Sequence, residues 1–154
     1  MGLVDFSDMT ASNILLRCGQ PSAALVPEGV LLEIVVLHTT TTATLRSLKT
    51  AGELAAGLAA RIRLLVLEVV PYPLEVESPR VPIEFTQRRF RTVASGARID
   101  TLIDIRLGRE LHQVLDCALK PGSVVVLENG AWWTRQRRLA RRLTRQGHHV
   151  ILAS

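Results

Sequence analysis

Leu31-Leu32-Glu33-Ile34-Val35-Val36-Leu37 is a short, nearly continuous apolar run. Its length and β-branched content suit a strand buried on both faces. Thr39 to Thr42 follow, and any of these hydroxyls can cap a helix N-terminus. Leu45, Leu48, Gly52, Ala55 and Leu58-Ala59 then recur at helical spacing, a stripe of small residues that lets a helix lie close on a sheet. Ile62 to Val70 is a second strand, apolar apart from Arg63 and Glu68. Strand, helix and strand in this order predict a parallel pair joined by a right-handed crossover.

The same alternation continues to the end of the chain. Pro71, Pro73, Pro79 and Pro82 mark a loop, because proline lacks the donor that strands and helix interiors need. A helix resumes near Ile83 with the stripe Ile83, Thr86, Phe90, Val93-Ala94 and Ala97, leaving Arg88, Arg89 and Arg91 outside it. Ile99 to Arg106 alternates: Thr101, Ile103 and Ile105 face one way, and Asp100, Asp104 and Arg106 the other. That pattern predicts a half-exposed strand at a sheet edge. Gly108 opens a third helix with Leu111, Val114, Leu115 and Ala118 inward, and Lys120-Pro121-Gly122 stops it. Ser123 to Leu127 is a buried strand and Glu128-Asn129-Gly130 a turn. Trp133 to Gln146 is a fourth helix with Gln136, Leu139-Ala140 and Leu143 inward, and Val150-Ile151-Leu152 is the last strand. The expected fold class is α/β, an open five-stranded parallel sheet with helices on both faces. Ligands in such sheets sit beyond the carboxyl ends of the strands at the switch point. Here that means the loops after Leu37, Val70 and Leu127.

The chain has 154 residues, 47% of them apolar and 21% charged. That suits one domain, too apolar for a disordered chain. Residues 1–29 show no sustained period and read as an N-terminal arm, in which Asn13 to Leu16 suit one turn or a short strand; residues 30–154 form the domain. No apolar run reaches the ~18–20 residues of a membrane helix, and Asp5 and Asp8 precede any basic residue, unlike a secretory signal. Two cysteines, Cys18 and Cys117, make no disulfide framework, so reduced thiols and a cytoplasmic setting are expected, with Cys117 a buried small apolar residue. The net charge of +5 has a local source. Residues 1–128 hold 13 Lys+Arg against 14 Asp+Glu, whereas residues 129–154 hold six arginines and no acid.

The familiar motifs of chemistry are missing. There is no Gly-x-Gly-x-x-Gly turn, no Gly-x-x-x-x-Gly-Lys-Ser/Thr loop, no His-Glu-x-x-His, no Cys-x-x-Cys and no Gly-x-Ser-x-Gly. His148-His149 would point to opposite faces of a strand and so do not bind one metal together. No catalytic residue, no metal and no enzyme activity are expected.

Residues 31–73 resemble the opening of the universal stress protein family. The resemblance lies in the buried strand, the polar turn, the helix pattern Ala51-Gly52-Glu53-Leu54-Ala55-Ala56-Gly57-Leu58-Ala59, and the second strand ending in Val69-Val70 before Pro71. Ile105-Arg106-Leu107-Gly108-Arg109 is similar to the family's third strand and the glycine after it, and the likeness extends over residues 31–153. It implies strand order 3-2-1-4-5, a homodimer joined through Val150 to Leu152, and a role as a regulatory or interaction module in stress response. The family's ATP-binding members carry an acidic residue where His38 or Thr39 stands here, and a glycine-rich phosphate loop after the fourth strand. This chain has Glu128-Asn129-Gly130-Ala131-Trp132-Trp133 instead, with one glycine and a repelling carboxylate. The resemblance therefore implies a degenerate member, with no required cofactor and at most weak adenine-nucleotide binding through His38, Thr39, Thr40, Val69, Val70 and Gly130.

The last helix carries the alternative. Arg135, Arg138, Arg142 and Arg145 share one side, with Arg137 and Arg141 alongside. One reading is a solvated face whose final arginines meet the negative helix end. The other is an anion-binding face for nucleic acid or an acidic protein partner. Trp132 and Trp133 either fill the cleft and a partner surface, or simply cover the end of the sheet.

Overall fold

The computed structural model describes residues 13–17, 32–74, 83–97, 99–130 and 134–154. Six strands and four helices follow in the order β1 (Asn13–Arg17), β2 (Glu33–Leu37), α1 (Thr41–Leu58), β3 (Arg61–Val69), α2 (Ile83–Ala97), β4 (Thr101–Gly108), α3 (Leu111–Ala118), β5 (Val124–Glu128), α4 (Arg135–Arg145) and β6 (His149–Ala153). They build one parallel sheet in the order β1-β4-β3-β2-β5-β6. The five strands expected from the sequence stand in the order 3-2-1-4-5, with β2 central, and β1 adds a sixth beside β4.

Crossover direction decides which helix covers which face. The steps through α1 and α2 run toward β4, and the chain then returns past β2 to β5. Right-handed crossovers therefore place α1 and α2 on one face and α3 and α4 on the other. Two apolar clusters follow from this. Leu48, Ala51, Phe90 and Ala94 pack on Ile34, Val36, Leu64 and Ile103; Leu115, Ala118, Ala140 and Leu143 pack on Val35, Leu65, Val125 and Leu127. Each buried leucine contributes about 1.5–3 kcal/mol relative to exposure. Only part of the expected α1 stripe turns inward: Leu48 is buried and a Cβ added to Gly52 would come within 2.6 Å of Ile99 Cδ1, just before β4, whereas Leu45, Leu58 and Ala59 are exposed.

Thr40 is the hydroxyl that caps α1, accepting from the Ala43 N–H at 3.2 Å. At the other end of α1, Ala59 takes the left-handed conformation, with φ 51°. Gly122, in the stop after α3, has φ 73°, which only glycine adopts freely.

Four further sequence expectations are corrected. The strand read as a half-exposed edge is buried almost throughout, including Asp104 and Arg106, because β1 lies outside it and the charges find partners within the sheet. Gly108 ends β4 rather than opening α3. Leu111 is exposed rather than inward, since only Val114, Leu115 and Ala118 of α3 are buried. Cys117 is exposed on α3 and disulfide-bonded, not a buried free thiol.

Buried charge holds β3, β4 and α3 together. Arg63 on β3 donates to Asp104 Oδ2 at 2.8 Å, meets Glu33 Oε2 at 3.1 Å, and donates from both terminal nitrogens to the Ala118 carbonyl at 3.2 Å. Arg106 donates through Nε to the second Asp104 oxygen at 2.8 Å. The guanidinium of Arg63 thus satisfies an otherwise orphaned carbonyl at the negative end of α3.

Candidate functional site

The carboxyl ends of β2, β3 and β5 lie side by side, and the switch point falls between β2 and β5. His38, Thr39 and Thr40 follow β2, Val69 and Val70 close β3, and Gly130 follows β5. The sheet therefore brings the six expected nucleotide-site residues to one edge.

His38 is held on three sides. Its backbone N–H donates to Leu65 O at 2.9 Å. Its ring meets Phe90 edge to face, with centroids 4.5 Å apart at 74°. Its Nδ1 lies 2.7 Å from Thr44 Oγ1, and that hydroxyl donates to Thr40 O, also at 2.7 Å. A hydroxyl has one proton to give. With it committed to Thr40, Thr44 accepts from Nδ1–H, which leaves Nε2 as the unprotonated acceptor of the neutral ring. Burial, and then the positive charge of Arg89, lower the His38 pKa from 6.5 to about 4. The group at the end of the central strand is thus a neutral acceptor at pH 7, where the resemblance places a carboxylate.

The backbone hooks of this edge are already engaged. The Val70 N–H donates to Gly108 O at 2.9 Å, and its carbonyl accepts from Arg109 Nη1 at 2.9 Å. Arg109 also stacks over the exposed Tyr72 ring at 4.2 Å. Val70 is buried, and Val69 is exposed. In the turn after β5, the Asn129 N–H donates to Ala153 O at 2.7 Å and the Gly130 N–H to Glu128 O at 3.0 Å. The Gly130 carbonyl accepts from Arg137 Nε at 3.1 Å, and Asn129 Oδ1 from Arg137 Nη2 at 2.8 Å. The Glu128 carboxylate pairs with Arg46 of α1 at 3.3 Å. Trp132 and Trp133 lie outside the described residues.

Thr44 and Arg46 escaped the sequence reading, and Phe90, Arg89 and Arg109 figured in it only as parts of a helix and a strand end. Thr44 had a local signal, since it stands one turn beyond Thr40 and extends the threonine cluster into the helix. Arg46 and Arg109 reach partners that are distant in sequence and had none.

The expected anion face divides. Arg142 donates to Asp116 at 2.9 Å. The side chains of Arg135, Arg138 and Arg145 are exposed and make no hydrogen bond or ion pair among the described residues. Arg137, Arg141 and Arg145, with Ala140, Thr144, Val150 and Leu152, line an open groove between α4 and β6. His148 and His149 belong to no metal-binding cluster among the described residues, and no described helix is long and apolar enough to cross a membrane.

No protein-family model and no curated protein sequence matches the chain. Solved structures do. A universal stress protein in complex with cAMP aligns with TM-score 0.52 at 19% identity, over 82% of this chain and 100% of that one. A protein from the universal stress protein family of Burkholderia pseudomallei aligns with TM-score 0.51 at 19% identity, over the same shares. The class is therefore an open parallel α/β domain with its topological switch point between β2 and β5. Within that class the chain has the universal stress protein fold.

Proposed function

We propose that this protein is a universal-stress-protein-like regulatory and interaction module of the stress response, which binds nucleotide weakly and without gripping its phosphates. One observation supports the reading above the others: both amides of the turn after β5, Asn129 and Gly130, donate to carbonyls of the chain itself. A phosphate needs several free N–H groups converging on one point. The Glu128 carboxylate adds like charge at the same place, offset in part by Arg46. The Val70 main chain, engaged on both its N–H and its carbonyl, offers a nucleobase no open backbone partner. What this end of the sheet still offers is the part-exposed His38 ring, an acceptor when neutral, and the hydroxyls of Thr39 to Thr42, a set suited to a small, uncharged donor. The universal stress protein solved in complex with cAMP supports including cyclic and monophosphate forms in the test.

Calorimetric titration with ATP, AMP and cAMP, each with and without magnesium, checks the reading. The expected result is weak binding in which ATP has no advantage over AMP and magnesium has no effect. Tight, magnesium-dependent ATP binding overturns it.

A further inference from the structure

We propose that the outer edge of β6, walled by the arginines of α4, is a docking site for an extended, acidic segment of a partner protein, which adds to the sheet as a seventh strand. Among the described residues β6 pairs only with β5. The main-chain groups of His149 and Ala153 turn toward β5: the His149 N–H donates to Ser123 O, and Ala153 O accepts from Asn129. Successive residues of a strand turn their main-chain groups to opposite sides, so Val150 and Leu152 direct an N–H and a carbonyl each at the open edge. Such a row of unpaired groups is a template for another strand.

The arginines define what kind of strand fits. Arg137, Arg141 and Arg145 stand four residues apart on α4 and line the groove above Val150 and Leu152. Four helical residues advance about 6 Å, and two residues of an added strand advance about 6.7 Å. A ridge of arginines at that spacing faces every second side chain of the incoming segment. Arg141 and Arg145 have no acidic partner among the described residues, while Arg137 is oriented by Asn129 and Gly130. Acidic side chains on the α4 face of the segment complete the charge. Apolar ones on the other face lie beside Ile151, which packs on the α1 side.

The same features rank the other occupants lower. A second copy pairing edge to edge by an antiparallel two-fold would set both α4 helices on the same face, arginine ridge against arginine ridge. Nucleic acid phosphates accept hydrogen bonds but cannot donate to the Val150 and Leu152 carbonyls. This inference deepens the interaction-module reading and rests on it. The two fail separately: the nucleotide titration tests the cleft, and the following experiment tests the edge.

The full chain is titrated, by fluorescence anisotropy, with an end-capped eight-residue peptide alternating glutamate and valine. Controls are the lysine–valine peptide and a DNA duplex, and sedimentation velocity follows the assembly state. Binding of the acidic peptide alone is expected, weakening with salt, and about tenfold weaker in Arg141→Glu/Arg145→Glu. Methylating one alternate set of the peptide's amide nitrogens should abolish binding, and methylating the other set should leave it intact. That readout leaves the protein unaltered, so it does not depend on the variant folding. Indifference to both methylation patterns, preference for the duplex, or a stable β6-to-β6 dimer that excludes the peptide would each overturn the proposal.

Discussion

Arg63 and Asp104 form an ion pair at 2.8 Å between neighbouring strands, with both side chains buried. The pair is not isolated, because Asp104 also accepts from Arg106 and Arg63 also reaches Glu33 and Ala118 O. Two guanidinium groups therefore depend on one buried carboxylate. Asp104→Ala leaves Arg106 without its carboxylate and Arg63 with only Glu33 and the Ala118 carbonyl, and breaking a buried pair in this way costs about 3–5 kcal/mol. The joint replacement Arg63→Met/Asp104→Leu/Arg106→Met removes all three charges at similar volume and should recover most of that loss. Urea unfolding of the two variants and the parent measures both. A loss below about 1 kcal/mol for Asp104→Ala would place the cluster in the range of surface pairs and contradict its burial.

This cluster also marks where the sequence stops being legible. The alternation of Ile99 to Arg106 has the correct period, but a period does not tell solvent from a charge on another strand. Asp104 finds Arg63, 41 positions away, and β1 shields the edge. The succession of strands and helices along the chain, by contrast, follows from local signals: apolar runs of strand length, small-residue helices, and prolines and glycines that break them; the strand order in the sheet is what the family resemblance implies. The placement of His38 at the end of the central strand was legible for the same reason. Its electrostatic state was not, because it depends on Phe90 and Arg89 from a helix some fifty residues further on.

Gly108 closes β4 where Val114 of α3 presses against the sheet, and a Cβ built on Gly108 would overlap Val114 Cγ2. Both residues are buried, so neither can move into solvent. Gly108→Ala is expected to cost about 1–3 kcal/mol, the usual range for overpacking a filled core. The clash is with one side chain, so Val114→Ala should make room for it. The double variant is then more stable than the sum of the two single losses by 0.5 kcal/mol or more, on the order expected of residues in contact. Denaturant midpoints of the four proteins complete the cycle. Strict additivity would show that the glycine is required for its backbone rather than for this contact.

His38 makes stability depend on pH in one direction only. Its folded pKa of about 4 lies below the ordinary histidine value of 6.5, so below pH 6.5 the unfolded chain takes up a proton that the fold resists. Its contribution is complete above pH 6.5 and is lost as the pH falls through about 4. Allowing for solvent at its partly exposed ring, the loss is about 1–2 kcal/mol. Asparagine retains a side-chain N–H for Thr44 and has no titrating group in this window. At pH 8, His38→Asn should be the less stable protein, since it forfeits the contact with Phe90. Toward pH 4.5 the gap should narrow by that same 1–2 kcal/mol, as the parent pays for its histidine and the variant does not. Carboxylates elsewhere titrate in both proteins and cancel in the difference. Urea unfolding of the pair at pH 8, 6 and 4.5 reads the gap directly. A gap that stays constant across the three would mean that His38 titrates alike in the folded and unfolded chains, and burial and the Arg89 charge would then not hold the ring neutral.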